Sequence, residues 1–224
     1  VNELKIIQTK DGSHSLLNEA MNETYHSTHG AVQESIHVFI KNGLRFWFEK
    51  NQAKEVSILE VGFGTGLNAL LTLEESIKEK KKIHYTTLEA FPVGIELVIQ
   101  LNYSQYLEVD SNYFQSIHQC DWNTPVTITS DFILEKRGVK IQETELVKRT
   151  YDIVYFDAFA PAKQPEMWEL PVLEKTVQLL KPNGILVTYC AQGQLKRNLK
   201  SLGMRVESLP GPPGKREMVR ALLS

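Results

Sequence analysis

Cys120 and Cys190 are the only cysteines in the 224 residues. Neither belongs to a C-x-x-C, so a zinc ribbon, a thioredoxin-type redox pair and a disulfide framework are excluded, and free thiols in a reducing compartment are expected. Six histidines occur, but no H-E-x-x-H. Four of them, His14, His26, His29 and His37, crowd the N-terminal part, where polar loop or substrate contacts are expected and no metal. No apolar stretch reaches the ~18 residues of a membrane span. Val1-Asn2-Glu3-Leu4-Lys5 lacks a signal-peptide pattern, and a cytoplasmic protein is expected. Repeats and low-complexity tracts are also missing. The net charge of −2 does not mark the whole molecule as a binder of polyanions.

What is present is ordinary globular composition with uneven charge. Hydrophobic residues at 42% and a length of 224 suffice for one domain with a large core. From Ala191 onward the chain carries seven basic residues (Lys196, Arg197, Lys200, Arg205, Lys215, Arg216, Arg220) against Glu207 and Glu217. Such a stretch is either a solvated surface or a patch that faces phosphates.

The most informative run is Ile58-Leu59-Glu60-Val61-Gly62-Phe63-Gly64-Thr65-Gly66-Leu67-Asn68. It reads as a buried strand ending in an acid, three alternating glycines, and a helix over about Leu67 to Glu79. Glycines let the backbone turn sharply and approach a ligand where side chains would collide, and the helix start offers free N–H groups. Dinucleotide loops read G-x-G-x-x-G and keep their acid for the next strand. The tighter E-x-G-x-G-x-G suits S-adenosylmethionine, which has no pyrophosphate to cradle. A plain strand-to-helix turn is the alternative, although such a turn does not need three glycines.

Strands and helices then alternate. His84 to Glu89 reads as a second strand, and Glu89, 23 residues after Gly66, stands where a ribose-binding acid falls. Ala90 and Phe91 follow it at the expected donor pocket. Pro92 is expected to open a helix toward Leu101. Val126–Thr129 and Phe132–Leu134 read as short antiparallel strands, with Arg137-Gly138 a turn and Val139–Ile141 a further extended stretch. Tyr151 to Asp157 is a buried strand ending in an acid. A helix over Met167–Leu180, a turn at Lys181–Gly184, a strand over Ile185–Tyr189 and a helix over Gln194–Leu202 follow. Met204–Leu209 and Met218–Leu222 alternate as a terminal hairpin. The fold expected is α/β and Rossmann-like, a mostly parallel sheet with a C-terminal antiparallel hairpin. Residues 1–50 would form a cap segment on a core spanning 51–224.

In open α/β sheets ligands lie beyond the carboxyl ends of the strands, where Glu60, Glu89 and Asp157 stand. Methyl transfer to an amine needs alignment of a neutral nitrogen and somewhere for its proton to go. Asp157 suits that role, or alternatively caps the loop behind its strand. Phe159 could pack on a base or on the donor.

Several stretches together resemble the methyltransferase half of the MnmC family, bifunctional enzymes that modify wobble uridine in bacterial tRNA. They are Asp11–Leu16, Tyr25-His26-Ser27 with His29-Gly30-Ala31, Gln33-Glu34-Ser35, Val61–Asn68, Asp157–Lys163 with Pro165–Trp168, and Lys215-Arg216-Glu217-Met218. They span nearly the whole chain in order. The resemblance implies a class I fold and methyl transfer from S-adenosylmethionine to the amine of 5-aminomethyl-2-thiouridine in the tRNA anticodon region. It implies Asp157 as the catalytic residue. Glu60, Gly62, Phe63, Gly64, Thr65, Gly66, Asn68, Glu89, Ala90 and Phe91 would hold the donor. Tyr25, His26, Gln33, Glu34, Phe159, Lys163, Lys215 and Arg216 would hold the acceptor. It also implies a stand-alone transferase served by a separate oxidoreductase. The chain departs from the family where a Gly-Asp pair often follows the third strand. Val139-Lys140-Ile141-Gln142-Glu143-Thr144 stands there, so no adenine contact is assigned. A small-molecule transferase acting on polyamine-type amines and a non-catalytic adenosylmethionine-binding module are the competing readings.

Overall fold

The computed structural model describes residues 4–223. Eleven strands in two sheets are present among the described residues. The small sheet is antiparallel, in the order β1 (Leu4–Gln8), β2 (His14–Asn18) and β3 (Glu23–Thr24). The main sheet has eight strands in the order β10-β11-β9-β8-β4-β5-β7-β6. Its parallel centre is β4 (Glu55–Val61), β5 (Lys82–Leu88), β7 (Phe132–Arg137), β8 (Tyr151–Phe156) and β9 (Leu180–Thr188). β6 (Pro125–Thr129) is antiparallel at one edge, and the hairpin β10 (Met204–Pro210) and β11 (Glu217–Leu223) is antiparallel at the other.

Alternation along the strands sorts the core onto the two faces of the sheet. Ile58, Ile153, Tyr155, Ile185 and Val187 join one apolar cluster; their neighbours Leu59, Val154, Phe156 and Leu186 join the other. The first face is covered by a helix over residues 31–50 and by the Leu67–Glu79 helix. The middle of the first helix, Ile36–Arg45, has π geometry, and the Asn42 side-chain amide donates to the His37 carbonyl within it at 2.7 Å. The second face is covered by the helices Leu170–Leu179 and Gly193–Ser201.

Several local expectations are corrected. The helix expected from Pro92 is only Ile95–Val98, because Pro92 to Gly94 remain extended. Val139–Ile141 forms no strand. Pro165–Trp168 is a separate 3-10 turn, and the following helix starts at Leu170, with Pro171 in its first turn where a missing N–H costs nothing. Lys181–Gly184 lies inside the β9 run as an irregularity, with a register shift against β8. The N-terminal strands and the helices Tyr103–Leu107 and Ser111–Gln119 were not anticipated.

Candidate active site

β4 sits between β5 and β8, and the chain leaves β4 toward one side before returning on the other. The carboxyl ends of these three strands therefore face a common crevice. A cavity of about 1330 Å³ opens there. Gly62, φ +97°, is the closest backbone approach in it: a Cβ would stand 2.6 Å from the Asp157 carbonyl oxygen. Gly64, φ +50°, passes beneath Tyr25, whose ring would meet a Cβ at 3.0 Å. The loop can cradle a ligand because side chains are missing there. Glu89 braces it: one carboxylate oxygen accepts the Gly64 N–H at 3.0 Å and the other the Phe91 N–H at 2.8 Å. The carboxylate is thus oriented with lone pairs to spare for ligand hydroxyls. These features fit a nucleoside-bearing donor.

The cavity gathers Gly62, Phe63, Gly64, Thr65, Asn68, Glu89, Ala90 and Phe91 with Tyr25, His26, Glu34, Asp157, Phe159 and Lys215. Other expected site residues lie elsewhere. Gly66 starts the Leu67–Glu79 helix. Gln33 is exposed and gives its backbone N–H to Asp11. Lys163 donates to the Met21 carbonyl at 2.9 Å, tying the loop after β8 to the N-terminal segment. Arg216 is exposed, away from the cavity. Glu60 is sealed behind Asn68, fully buried, and accepts from Thr87 Oγ1 at 2.8 Å.

Asp157 and Glu60 share one donor. The Asn68 amide nitrogen reaches Glu60 Oε1 at 3.1 Å and Asp157 Oδ2 at 2.9 Å. Burial pushes the Asp157 carboxyl up to about 7; the Glu34 carboxylate adds to the rise, while Asn68 and Lys215 oppose it. Burial pushes Glu60 up to about 8. Burial also lowers His26 to about 4, so its imidazole is neutral; its Nδ1 lies 3.0 Å from Ser15 Oγ, which also accepts the His26 N–H.

The loop carrying Asp157 is held from behind. Trp168 Nε1 donates to the Phe159 carbonyl and Tyr189 Oη to the Ala158 carbonyl, both at 2.8 Å. Phe159 meets Tyr25 edge to face with ring centroids 5.0 Å apart. Lys215 crosses the cavity from the β10–β11 loop, 2.5 Å from Glu34 and 3.7 Å above the Tyr189 ring. Sequence reasoning missed Tyr189 because a strand-end tyrosine carries no motif. It missed the Asn18 and Met21 lining because β1–β3 were not recognised.

In the basic C-terminal stretch the structure supplies partners for several of the charges. Lys196 pairs with Glu217 at 2.6 Å, Lys215 with Glu34, and Arg205 and Arg220 with Glu207. Arg197, Lys200 and Arg216 are exposed and carry no such ion pair among the described residues. Among the described residues no group of three or more His, Cys, Asp or Glu could hold a metal ion.

A family model for S-adenosyl-L-methionine-dependent methyltransferases matches residues 103–224. A tRNA 5-methylaminomethyl-2-thiouridine biosynthesis bifunctional protein MnmC from Leptospira interrogans is 30% identical over 91% of this chain and 33% of its own length. Its counterpart from Cupriavidus necator is 31% identical over 89% of the chain and 31% of its own length. The chain thus spans about a third of the length of these curated relatives. The crystal structure of MnmC2 from Aquifex aeolicus superposes with a TM-score of 0.78 at 26% identity, covering all of this chain and 72% of that one. Spermidine synthase from Thermotoga maritima shares the fold at TM-score 0.57 and 15% identity, over 99% of this chain and 68% of that one. With a family model covering more than half of its length, the chain belongs to the S-adenosyl-L-methionine-dependent methyltransferases.

Proposed function

We propose that this chain methylates the primary amine of 5-aminomethyl-2-thiouridine at the wobble position of tRNA. The observation that carries the reading is Asp157: a carboxylate at a strand's carboxyl end, beside the glycine loop, held by Asn68 and pushed up to about 7. Such a group accepts a proton near neutral pH. The names of the relatives supply the nucleoside.

S-adenosylmethionine supplies a methyl carbon already activated by a positively charged sulfur. The loop Gly62 to Gly66 would hold it by backbone, with Glu89 on the ribose and Ala90 and Phe91 flanking. Tyr25, His26, Glu34, Phe159 and Lys215 form the acceptor side, under a cap made by the N-terminal segment up to residue 50 on the core that follows it. An amine reaches the site largely as its ammonium form. Asp157 takes one proton to free the lone pair. Transfer would form the N–C bond at the expense of the donor's C–S bond, leaving the acceptor nitrogen cationic and the donor a neutral thioether. Asp157 releases the first proton to solvent in the open cavity and, ionised again, accepts a proton from the methylated nitrogen. Most of the rate gain comes from alignment, since the leaving group is activated beforehand.

The amine must be unmasked before this step, so an oxidoreductase, separate or linked, supplies the substrate in the cytoplasm. The test is incubation of the protein with S-adenosylmethionine and tRNA bearing the aminomethyl nucleoside, followed by nucleoside mass spectrometry. Gain of one methyl group on that nucleoside supports the reading. Methylation of free polyamines in preference to tRNA contradicts it.

A further inference from the structure

Among the described residues two lysines stand on the cavity wall, Lys140 and Lys215. They lie on opposite sides of the glycine loop. Lys140 Nζ is 5.8 Å over the ring of Phe91, which follows β5. Lys215 Nζ is 3.7 Å over the ring of Tyr189, which follows β9, and β4 runs between those two strands in the sheet order. The Tyr189 hydroxyl in turn holds the Ala158 carbonyl, so Lys215 belongs to the Asp157 end of the cavity.

Lys215 is held in place but not used up. Glu34 Oε1 accepts from its Nζ at 2.5 Å, and the other Glu34 oxygen accepts the Ser27 N–H at 2.7 Å, which pins the carboxylate. Gly214, φ +85°, leaves out a side chain where the β10–β11 loop crosses His29. The Lys215 side chain keeps 31% of its surface open. An ammonium has three N–H donors. Glu34 takes one, and the Tyr189 face is a second favourable neighbour. Capacity is left for an anion that enters the cavity.

The methyl donor brings such an anion. S-adenosylmethionine ends in an α-amino acid, joined to the sulfonium by a short methylene chain. With the ribose on Glu89 and the methyl group turned toward Asp157, that tail continues past Asp157, away from the nucleoside. A carboxylate taken out of water needs a partner. Lys215 is in range, close enough to Asp157 to oppose the rise of its carboxyl. Lys140 stands on the nucleoside side, and the His26 imidazole is neutral.

Resting on the donor site proposed above, we infer that Lys215 anchors the α-carboxylate of S-adenosylmethionine and makes the site select that donor over its decarboxylated form. Glu34 is the positioning residue that holds the ammonium in place. Lys215 thus serves the donor from the acceptor wall. The general field of the cavity cannot produce this preference. Loss of the carboxylate makes the donor more cationic, and the wall carries Glu34, Glu89, Glu143 and Glu166 besides Asp157. That field by itself favours the decarboxylated form.

Calorimetry without tRNA compares S-adenosylmethionine with decarboxylated S-adenosylmethionine, which keeps the sulfonium, the ammonium and the nucleoside. Wild type should bind the carboxylate-bearing donor tighter by roughly 10- to 100-fold, the worth of one charge-assisted hydrogen bond. In Lys215→Met, affinity for S-adenosylmethionine should fall by about that factor, while the decarboxylated donor binds as before or more tightly. Lys215→Arg keeps the cation and should keep a preference of the same sense. Lys140→Met should leave the ratio unchanged. Equal wild-type affinities, or tighter binding of the decarboxylated donor, overturn the anchor without any variant. A preference that survives in Lys215→Met overturns it too, as does one that disappears in Lys140→Met. Equal loss of both ligands in Lys215→Met also counts against it, since the lysine would then hold only the shape of the site. Wild type that binds neither ligand fails the donor site itself, whereas failure of the anchor alone leaves both ligands bound.

Discussion

In the proposed reaction, Asp157 is the residue on which the chemistry turns. Asp157→Asn keeps the shape and the contact to Asn68 but cannot accept a proton. Its turnover should drop by a factor on the order of 10²–10⁴ with little change in donor affinity, as measured by single-turnover rates and calorimetry. The rate of wild type should rise with pH through about 7, as the Asp157 carboxyl ionises. Its charged neighbours set that midpoint in opposite senses. Glu34→Gln removes a negative charge that holds the proton on Asp157, so the midpoint should move to lower pH. Lys215→Met removes a positive charge that favours the carboxylate, so it should move to higher pH. Shifts of the same sign in both variants would show that the pH profile belongs to another group. Much of this was legible in the residues. An acid closing a buried strand singled out Asp157 and Glu89, and both line the cavity. Glu60 fits the pattern equally well, yet it is sealed behind Asn68. Strand-end position gives the height of a side chain along the sheet, but the choice between crevice and core depends on what packs over it.

Among the elements, the glycine loop does the most with the fewest atoms. Gly62 lets the end of β4 touch the end of β8, its own Cβ position lying 2.6 Å from the Asp157 carbonyl oxygen. Gly62→Ala meets backbone that cannot yield cheaply and also a φ of +97°. It should cost about 1–3 kcal/mol of stability and displace Asp157, read as a lower melting temperature together with lost turnover. An unchanged melting temperature would refute this packing account. The parallel strands were readable because they are apolar on both faces and end in turns or acids. The helix expected over Met167–Leu180 broke at Glu169 because Pro171 starts a new one. The strands β1–β3 left no signal: they are short and mixed in polarity, and β1 and β2 meet at the turn around Asp11, whose carboxylate accepts from Thr9, Ser13 and Gln33.

At the scale of the whole molecule, buried titratable groups link stability to pH. Glu60 and Asp157 hold protons in the folded state that the unfolded chain releases, so their contribution is lost as pH rises through about 7 to 8. His26 and His118, lowered to about 4 and about 3 by burial, act in the opposite sense, an effect that fades as pH rises past their unfolded value of 6.5. Between pH 6.5 and 8 these acids, joined by Glu74 whose carboxyl burial raises to about 7, outweigh the fading histidine effect. The melting temperature should fall across that window, and Glu60→Gln should flatten the fall; a rise would contradict the assignment. Charge also governs docking. Four of the seven C-terminal basic residues are in ion pairs, a fact that composition cannot carry because it records charges and not their partners. Lys215 belongs to the cavity, and its removal should change turnover more than the salt dependence of tRNA binding, whereas a phosphate contact would lower the salt slope by about one unit. The central claim is that this cavity delivers one methyl group to a primary amine on tRNA. The measurement that tests it most directly is single-turnover methyl transfer from labelled S-adenosylmethionine to tRNA carrying 5-aminomethyl-2-thiouridine, with Asp157→Asn alongside. The predicted result is one methyl per tRNA, on the amine nitrogen, lost in the variant while donor binding persists. Methyl transfer that survives in the variant, or that lands on any other atom of the tRNA, would contradict the account.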